Sequence, residues 1–169
     1  MTAIPERLVV LLAEDDENDL FIVQRVFKRL GKAVRLIAVS DGDEVIAYLS
    51  GDGKYSDRQA WPIPNVVFLD QWMPRISGTD VLCWIRTEPR YRSLPVVLMS
   101  GGLSPAQREF ADRFKAAHCA KDVEPKNLMQ VIGRAVGAAL GLTTDGQPTW
   151  ASTLRHSLFT GPEPIRVWT

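Results

Sequence analysis

Val66-Val67-Phe68-Leu69-Asp70-Gln71-Trp72-Met73-Pro74 decides the fold, because an unbroken apolar run ends abruptly at a carboxylate. Apolar residues without polar alternation predict a strand covered on both faces, the pattern of a parallel sheet. Asp70 follows that strand without opening a helix. Leu8 to Leu12 is a second aliphatic run of the same kind, and after Ala13 come Glu14, Asp15, Asp16 and Glu17.

Working outward, short apolar runs alternate with helix-like segments, which predicts an α/β protein. Leu20, Val23, Phe27 and Leu30 recur at three- and four-residue steps, with Gly31 as a helix stop. Val34 to Val39 reads as the second strand, and Ser40, Asp41 and Gly42 supply the turn after it. A short helix through Val45, Ile46 and Leu49 follows, then a polar, Gly- and Pro-bearing insertion over residues 50 to 65. Gly78 to Arg86 suits a helix with Val81, Leu82 and Ile85 inward, and Val96 to Met99 a fourth strand ending at Ser100. Ser104, Pro105 and Gln107 make a capping-box start for the next helix. A fifth strand lies around Cys119, before Lys121, and a last helix runs from near Pro125 through Leu128, Val131, Ile132, Ala135 and Leu140 to Gly141. The expected fold is a doubly wound, five-stranded parallel sheet of the flavodoxin type with a C-terminal extension.

In open α/β sheets the functional crevice lies at the carboxyl ends of the strands. The residues at those ends are Glu14, Asp15, Asp70, Ser100 and Lys121. Three carboxylates in one crevice repel each other unless a cation joins them. Hard oxygen donors suit Mg2+, which binds one or two carboxylates together with phosphate oxygens. A carboxylate is also a nucleophile towards phosphorus. The set therefore reads as Glu14 and Asp15 for metal, Asp70 as acceptor, Ser100 as hydroxyl donor and Lys121 as cation, the groups phosphoryl transfer needs. Acidic residues after strands also cap helices, and Asp16 and Glu17 fit that plainer role.

Composition narrows the alternatives. At 169 residues, 46% hydrophobic and 24% charged, the chain suits one globular domain rather than a disordered or fibrous one. Its 20 basic and 20 acidic side chains cancel, so no general attraction to nucleic acid or anionic membrane is expected. No apolar run approaches the ~20 residues that span a bilayer. Met1 to Arg7 lacks the apolar core of a signal peptide. Cys83 and Cys119 lie far apart without metal-type spacing and read as reduced structural thiols, which points to the cytoplasm.

The pieces Leu11-Leu12-Ala13-Glu14-Asp15-Asp16, Val67 to Pro74, Gly78, Leu94 to Ser100 and Lys121 together resemble the CheY-like receiver family of bacterial response regulators, from about Leu8 to Leu140. The stretch Ala47 to Tyr55 with its insertion is similar to small single-domain regulators paired with phytochrome-type histidine kinases. The resemblance implies a phosphorelay protein, phosphorylated on Asp70 by a histidine kinase with Mg2+. It implies that Glu14 and Asp15 form the acidic pair, Asp15 being the favoured direct ligand, and that the Trp72 backbone carbonyl is a further ligand. Ser100 then matches the hydroxyl that moves onto the phosphoryl group, Lys121 the lysine that pairs with it, and His118 the aromatic switch position. Such a protein assists its own phosphorylation and dephosphorylation and is otherwise no enzyme.

Departures from the family pattern also carry expectations. Asp122 stands where the family has a proline in a cis peptide. A cis Lys121–Asp122 bond costs about 2.5–4 kcal/mol, so a trans bond and a reshaped loop are expected, with Asp122 able to compete for Lys121. His118 either swings between rotamers and adds pH sensitivity, or is an exposed histidine with no switching role. Trp72 either shields the acyl phosphate from water or lies on the surface as a partner contact. Residues 1–140 are expected to form the receiver domain. Residues 141–169, with Trp150, Leu154, Leu158, Phe159 and Trp168, are expected to form a short helix plus arm. That apolar face either exchanges between two protomers of a homodimer or packs back on its own domain. Arg155 and Arg166 make no nucleic-acid footprint. Two other functions compete: a degenerate receiver acting as a scaffold, and a phosphatase with Asp70 as nucleophile. Haloacid-dehalogenase-type phosphatases want a second acid two residues on, where Trp72 stands.

Overall fold

The computed structural model describes residues 8–28 and 34–121. Five parallel strands form one sheet in the order β2-β1-β3-β4-β5: β1 (Leu8–Ala13), β2 (Val34–Val39), β3 (Val66–Asp70), β4 (Val96–Ser100) and β5 (Ala117–Ala120). Helices α1 (Glu17–Lys28), α2 (Gly42–Ser50), α3 (Gly78–Thr87) and α4 (Pro105–Arg113) connect them. This is the strand order of the flavodoxin-like fold, with its switch point between β1 and β3.

Both faces of β1, β3 and β4 are buried, which is why these strands read as continuous apolar runs. On one face Leu11, Leu69 and Leu98 pack against Val45 and Leu49 of α2 and Val81 and Ile85 of α3. On the other, Leu12, Phe68 and Met99 pack against Val23 and Phe27 of α1. The Phe27 and Phe68 rings meet edge to face at 5.5 Å. Each such side chain contributes roughly 1.5–3 kcal/mol when fully buried, so the two layers fix the sheet between them.

Helix starts follow the chemistry of orphan N–H groups. Ser104 and Gln107 form the expected capping box, with Pro105 in the first turn of α4. Ser77 and Asp80 form a second one at α3. Asp16 takes the plainer role read for it, its carboxylate accepting from the N–H groups of Asn18 at 2.8 Å and Asp19 at 3.0 Å.

The segment between α2 and β3 differs from its polar reading. It makes a 3-10 turn at Gly53–Tyr55 and buries an aromatic cluster. Tyr55 lies 4.9 Å from Tyr48 and 5.1 Å from Trp61, ring centre to ring centre. Arg58 donates to the α2 carbonyls of Tyr48 at 2.8 Å and Leu49 at 2.7 Å, closing the end of that helix. Gly51, with φ of 80°, supplies the left-handed residue that lets the chain turn there. Two isolated aromatics among polar residues carry no period, so the pattern of the sequence did not reveal this packing.

Gly31, Asp122, the helix expected from Pro125 to Leu140 and the extension over 141–169 lie outside the described residues. Among the described residues no helix is long and apolar enough to cross a membrane. Cys83 is half-buried and Cys119 buried, and both are free thiols.

Candidate functional site

Strand register brings the site together. Ala13 pairs with Leu69, Asp70 with Met99 and Ser100 with Ala120, so the chain leaves four strands at one level. The Glu14 N–H donates to the Val39 carbonyl at 3.1 Å, the Gln71 N–H to Met99 at 2.8 Å and the Lys121 N–H to Ser100 at 3.2 Å. These bonds continue the ladders one residue past each strand and fix where the side chains leave the sheet.

Glu14 turns inward and is buried, whereas its neighbour Asp15 faces solvent. Asp70 is only 2% exposed. Its Oδ1 accepts from the Trp72 N–H at 3.2 Å, which orients the carboxylate. The Lys121 ammonium, on a side chain 18% exposed, stands 3.0 Å from Asp70 Oδ2 and 3.1 Å from each Glu14 oxygen. It lies 2.7 Å from Asp19 Oδ2. Its hydrogen bonds run to Glu14 Oε1 and Asp19 Oδ2, and it forms an ion pair with Asp70 at hydrogen-bonding distance.

Charge in this crevice is unbalanced. Burial is the largest influence on Glu14 and pushes its carboxyl up. The Lys121 hydrogen bond pulls it back and the Asp70 charge raises it again, leaving it at about 7. Burial works against the Lys121 ammonium, but contacts with Asp19, Asp70 and Glu14 outweigh it and raise its pKa. One ammonium thus faces more carboxylates than it can neutralise. Donor oxygens of Glu14, Asp15 and Asp70 lie within 4.8 Å of one another. Among the described residues the buried Glu14 Oε2 accepts no hydrogen bond. Clustered hard oxygens with surplus negative charge fit a divalent cation of the Mg2+ type.

Glu14, Asp15, Asp70 and Lys121 therefore share one crevice. Ser100 is buried at the neighbouring strand end, and its hydroxyl donates to the Gly102 carbonyl at 3.1 Å and accepts from the Gly102 N–H at 3.2 Å. Trp72, two residues after Asp70, is 65% exposed. His118 lies exposed on β5. Sequence reasoning missed Asp19. Its signal was present in the spacing, since it follows Asp15 by four residues in the first turn of the helix that Asp16 caps.

The sequence profile of the response regulator receiver domain matches residues 10–133. This chain belongs to that receiver family. Among the receiver's relatives, the response regulator Rcp1 of Synechocystis sp. is 35% identical over 92 residues, 54% of this chain. The receiver spans 60% of that relative's length. The crystal structure of the Mn2+-bound form of Rcp1 superposes with a TM-score of 0.64 at 26% identity, covering 84% of this chain and 99% of that one. The response regulator RPA3017, described in red light signalling of R. palustris, gives a TM-score of 0.64 at 27% identity over 94% of this chain and 99% of its own. The bacteriophytochrome response regulator AtBRR gives 0.65 at 27% identity over 83% and 96%. The receiver is a two-component response regulator domain related to those of phytochrome signalling.

Proposed function

We propose that this receiver accepts a phosphoryl group on Asp70 from a histidine kinase, with Mg2+ bound by Asp15, Asp70 and the Trp72 carbonyl, and that Glu14 supports that metal from behind. The observation that carries the reading is the buried Asp70 carboxylate held 3.0 Å from the Lys121 ammonium, among carboxylate oxygens within 4.8 Å of one another. Mg2+ bound there would neutralise charge on the phosphoryl oxygens.

The chain's own residues supply the rest. An Asp70 oxygen is the nucleophile, oriented by the Trp72 N–H. Lys121 stands where it pairs with an oxygen of the incoming group. Ser100 reaches that group once its hydroxyl leaves Gly102, a movement that would couple phosphorylation to the loop after β4. Similarity to the bacteriophytochrome response regulators AtBRR and RtBRR supports a kinase of the phytochrome type as donor. A phosphatase is disfavoured because the position two after Asp70 is Trp72, with no acid to protonate a leaving group.

Incubation with Mg2+ and acetyl phosphate, followed by intact mass, tests the reading. The parent gains one phosphoryl group, and Asp70→Ala gains none. A parent that gains none in either this assay or a kinase transfer assay is a scaffold.

A further inference from the structure

We propose that Asp19 is a positioning residue for phosphorylation: it competes with the incoming phosphoryl group for the Lys121 ammonium and so restrains transfer to Asp70. The inference rests on Asp70 being the phosphoacceptor. The Lys121 ammonium stands 2.7 Å from Asp19 Oδ2, 3.0 Å from Asp70 Oδ2 and 3.1 Å from Glu14 Oε1, the Asp19 contact being the shortest. A phosphoryl oxygen arriving on Asp70 needs an N–H aimed at it. The three N–H groups of the ammonium already face three carboxylates, so a contact must be given up.

Asp70 itself carries the incoming group, and the other two partners differ in what their loss costs. Releasing Glu14 leaves a buried carboxyl group without its hydrogen-bond donor. Releasing Asp19 leaves a carboxylate 38% exposed, which water re-solvates. Asp19 is the bond that yields, and breaking it is charged to the phosphoryl-bound state. Asp19 is also held in place, since its N–H is tied to the Asp16 carboxylate at 3.0 Å. In the step itself an Asp70 oxygen bonds to phosphorus of the donor acetyl phosphate. The phosphorus bond to the acetyl oxygen breaks with its electron pair leaving on acetate. Lys121 meanwhile exchanges Asp19 for a phosphoryl oxygen.

The test compares the parent, Asp19→Asn and Glu17→Gln in full-length protein with Mg2+ and acetyl phosphate, following intact mass against time. Asn keeps the size of the side chain and an acceptor oxygen, and a melting curve checks that each variant folds. Glu17 lies in the same exposed first turn and makes no ion pair among the described residues, so it controls for charge alone. Asp19→Asn is expected to raise the rate constant about three- to fivefold, the range of one partly exposed ion pair, and Glu17→Gln to leave it unchanged. In the metal-free protein the Lys121 Nζ resonance is expected to shift in Asp19→Asn only. An unchanged or slower Asp19→Asn, an equal gain in Glu17→Gln, or a static Lys121 resonance overturns the proposal while Asp70 phosphorylation stands. A parent that takes up no phosphoryl group overturns both.

Discussion

Lys121 and Glu14 lie 107 residues apart in the chain, yet the ammonium stands 3.1 Å from each of the two carboxylate oxygens. Glu14 is nonetheless raised from 4.5 to about 7, because burial outweighs that contact. The folded chain therefore holds a proton on Glu14 that the unfolded chain releases between those values. Stability from this group is complete below pH 4.5 and lost as pH rises through about 7. The groups facing it are Lys121, Asp70 and the Asp16 N–H.

In metal-free buffer the melting temperature is expected to fall between pH 5 and pH 7.5, through the window set by Glu14. Glu14→Gln flattens that slope, since its amide does not titrate. Added Mg2+ has the opposite pH preference, binding better where the carboxylates are ionised. A slope that survives unchanged in Glu14→Gln assigns it to another group.

Glu44 shows the reverse sign. Burial alone would raise it, but hydrogen bonds from Lys54, Tyr55 and Ser40 bring it down to about 2. Its stabilisation is present above pH 4.5 and lost as pH falls through about 2. Tyr55 donates to it at 2.5 Å, so Tyr55→Phe is expected to cost about 2 kcal/mol at pH 7, as for bonds to charged acceptors. Urea unfolding at pH 7 and pH 3 checks this. The deficit shrinks at the lower pH, and an equal deficit at both would falsify the charged-acceptor account.

Gly78 begins α3 directly behind the acceptor. A Cβ there would stand 2.5 Å from the Asp70 carbonyl oxygen and 3.2 Å from Gln71 Cα. The backbone cannot easily retreat, because the Gly78 N–H is bonded to the Gln71 carbonyl at 3.2 Å. Gly78→Ala is expected to destabilise by roughly 1–3 kcal/mol and to weaken phosphorylation as the end of β3 shifts. A variant with parental melting temperature and parental phosphorylation rate refutes the close-packing argument.

Trp72 is the case in which the exposed ring decides between two readings. With 65% of the residue open to solvent, the ring favours a surface contact over a shield. Trp72→Ala is expected to change stability by less than about 0.5 kcal/mol and the rate of phosphoryl loss by less than about twofold. Loss accelerated about tenfold on that substitution points instead to a ring that folds over the acyl phosphate.

The sheet was legible because its strands are buried on both faces, so Leu8 to Leu12 and Val66 to Leu69 stand out as unbroken apolar runs. The candidate site was legible for a related reason. In a parallel sheet every strand ends at the same side, so the polar residue after each run is brought to one crevice by topology alone. Glu14, Asp70, Ser100 and Lys121 needed no contact information to be picked out.

Tertiary structure decided what periodicity cannot encode. Asp19 reaches Lys121 only because the Asp16 cap sets where α1 begins and β5 ends opposite it. Tyr55 joins the core and Trp61 packs against it because α2 offers Tyr48 to pack on and Glu44 to bond. Local pattern fixes which face a residue takes within its own element. The direction of an ammonium among three carboxylates depends on elements a hundred residues apart, and no run of sequence carries that distance.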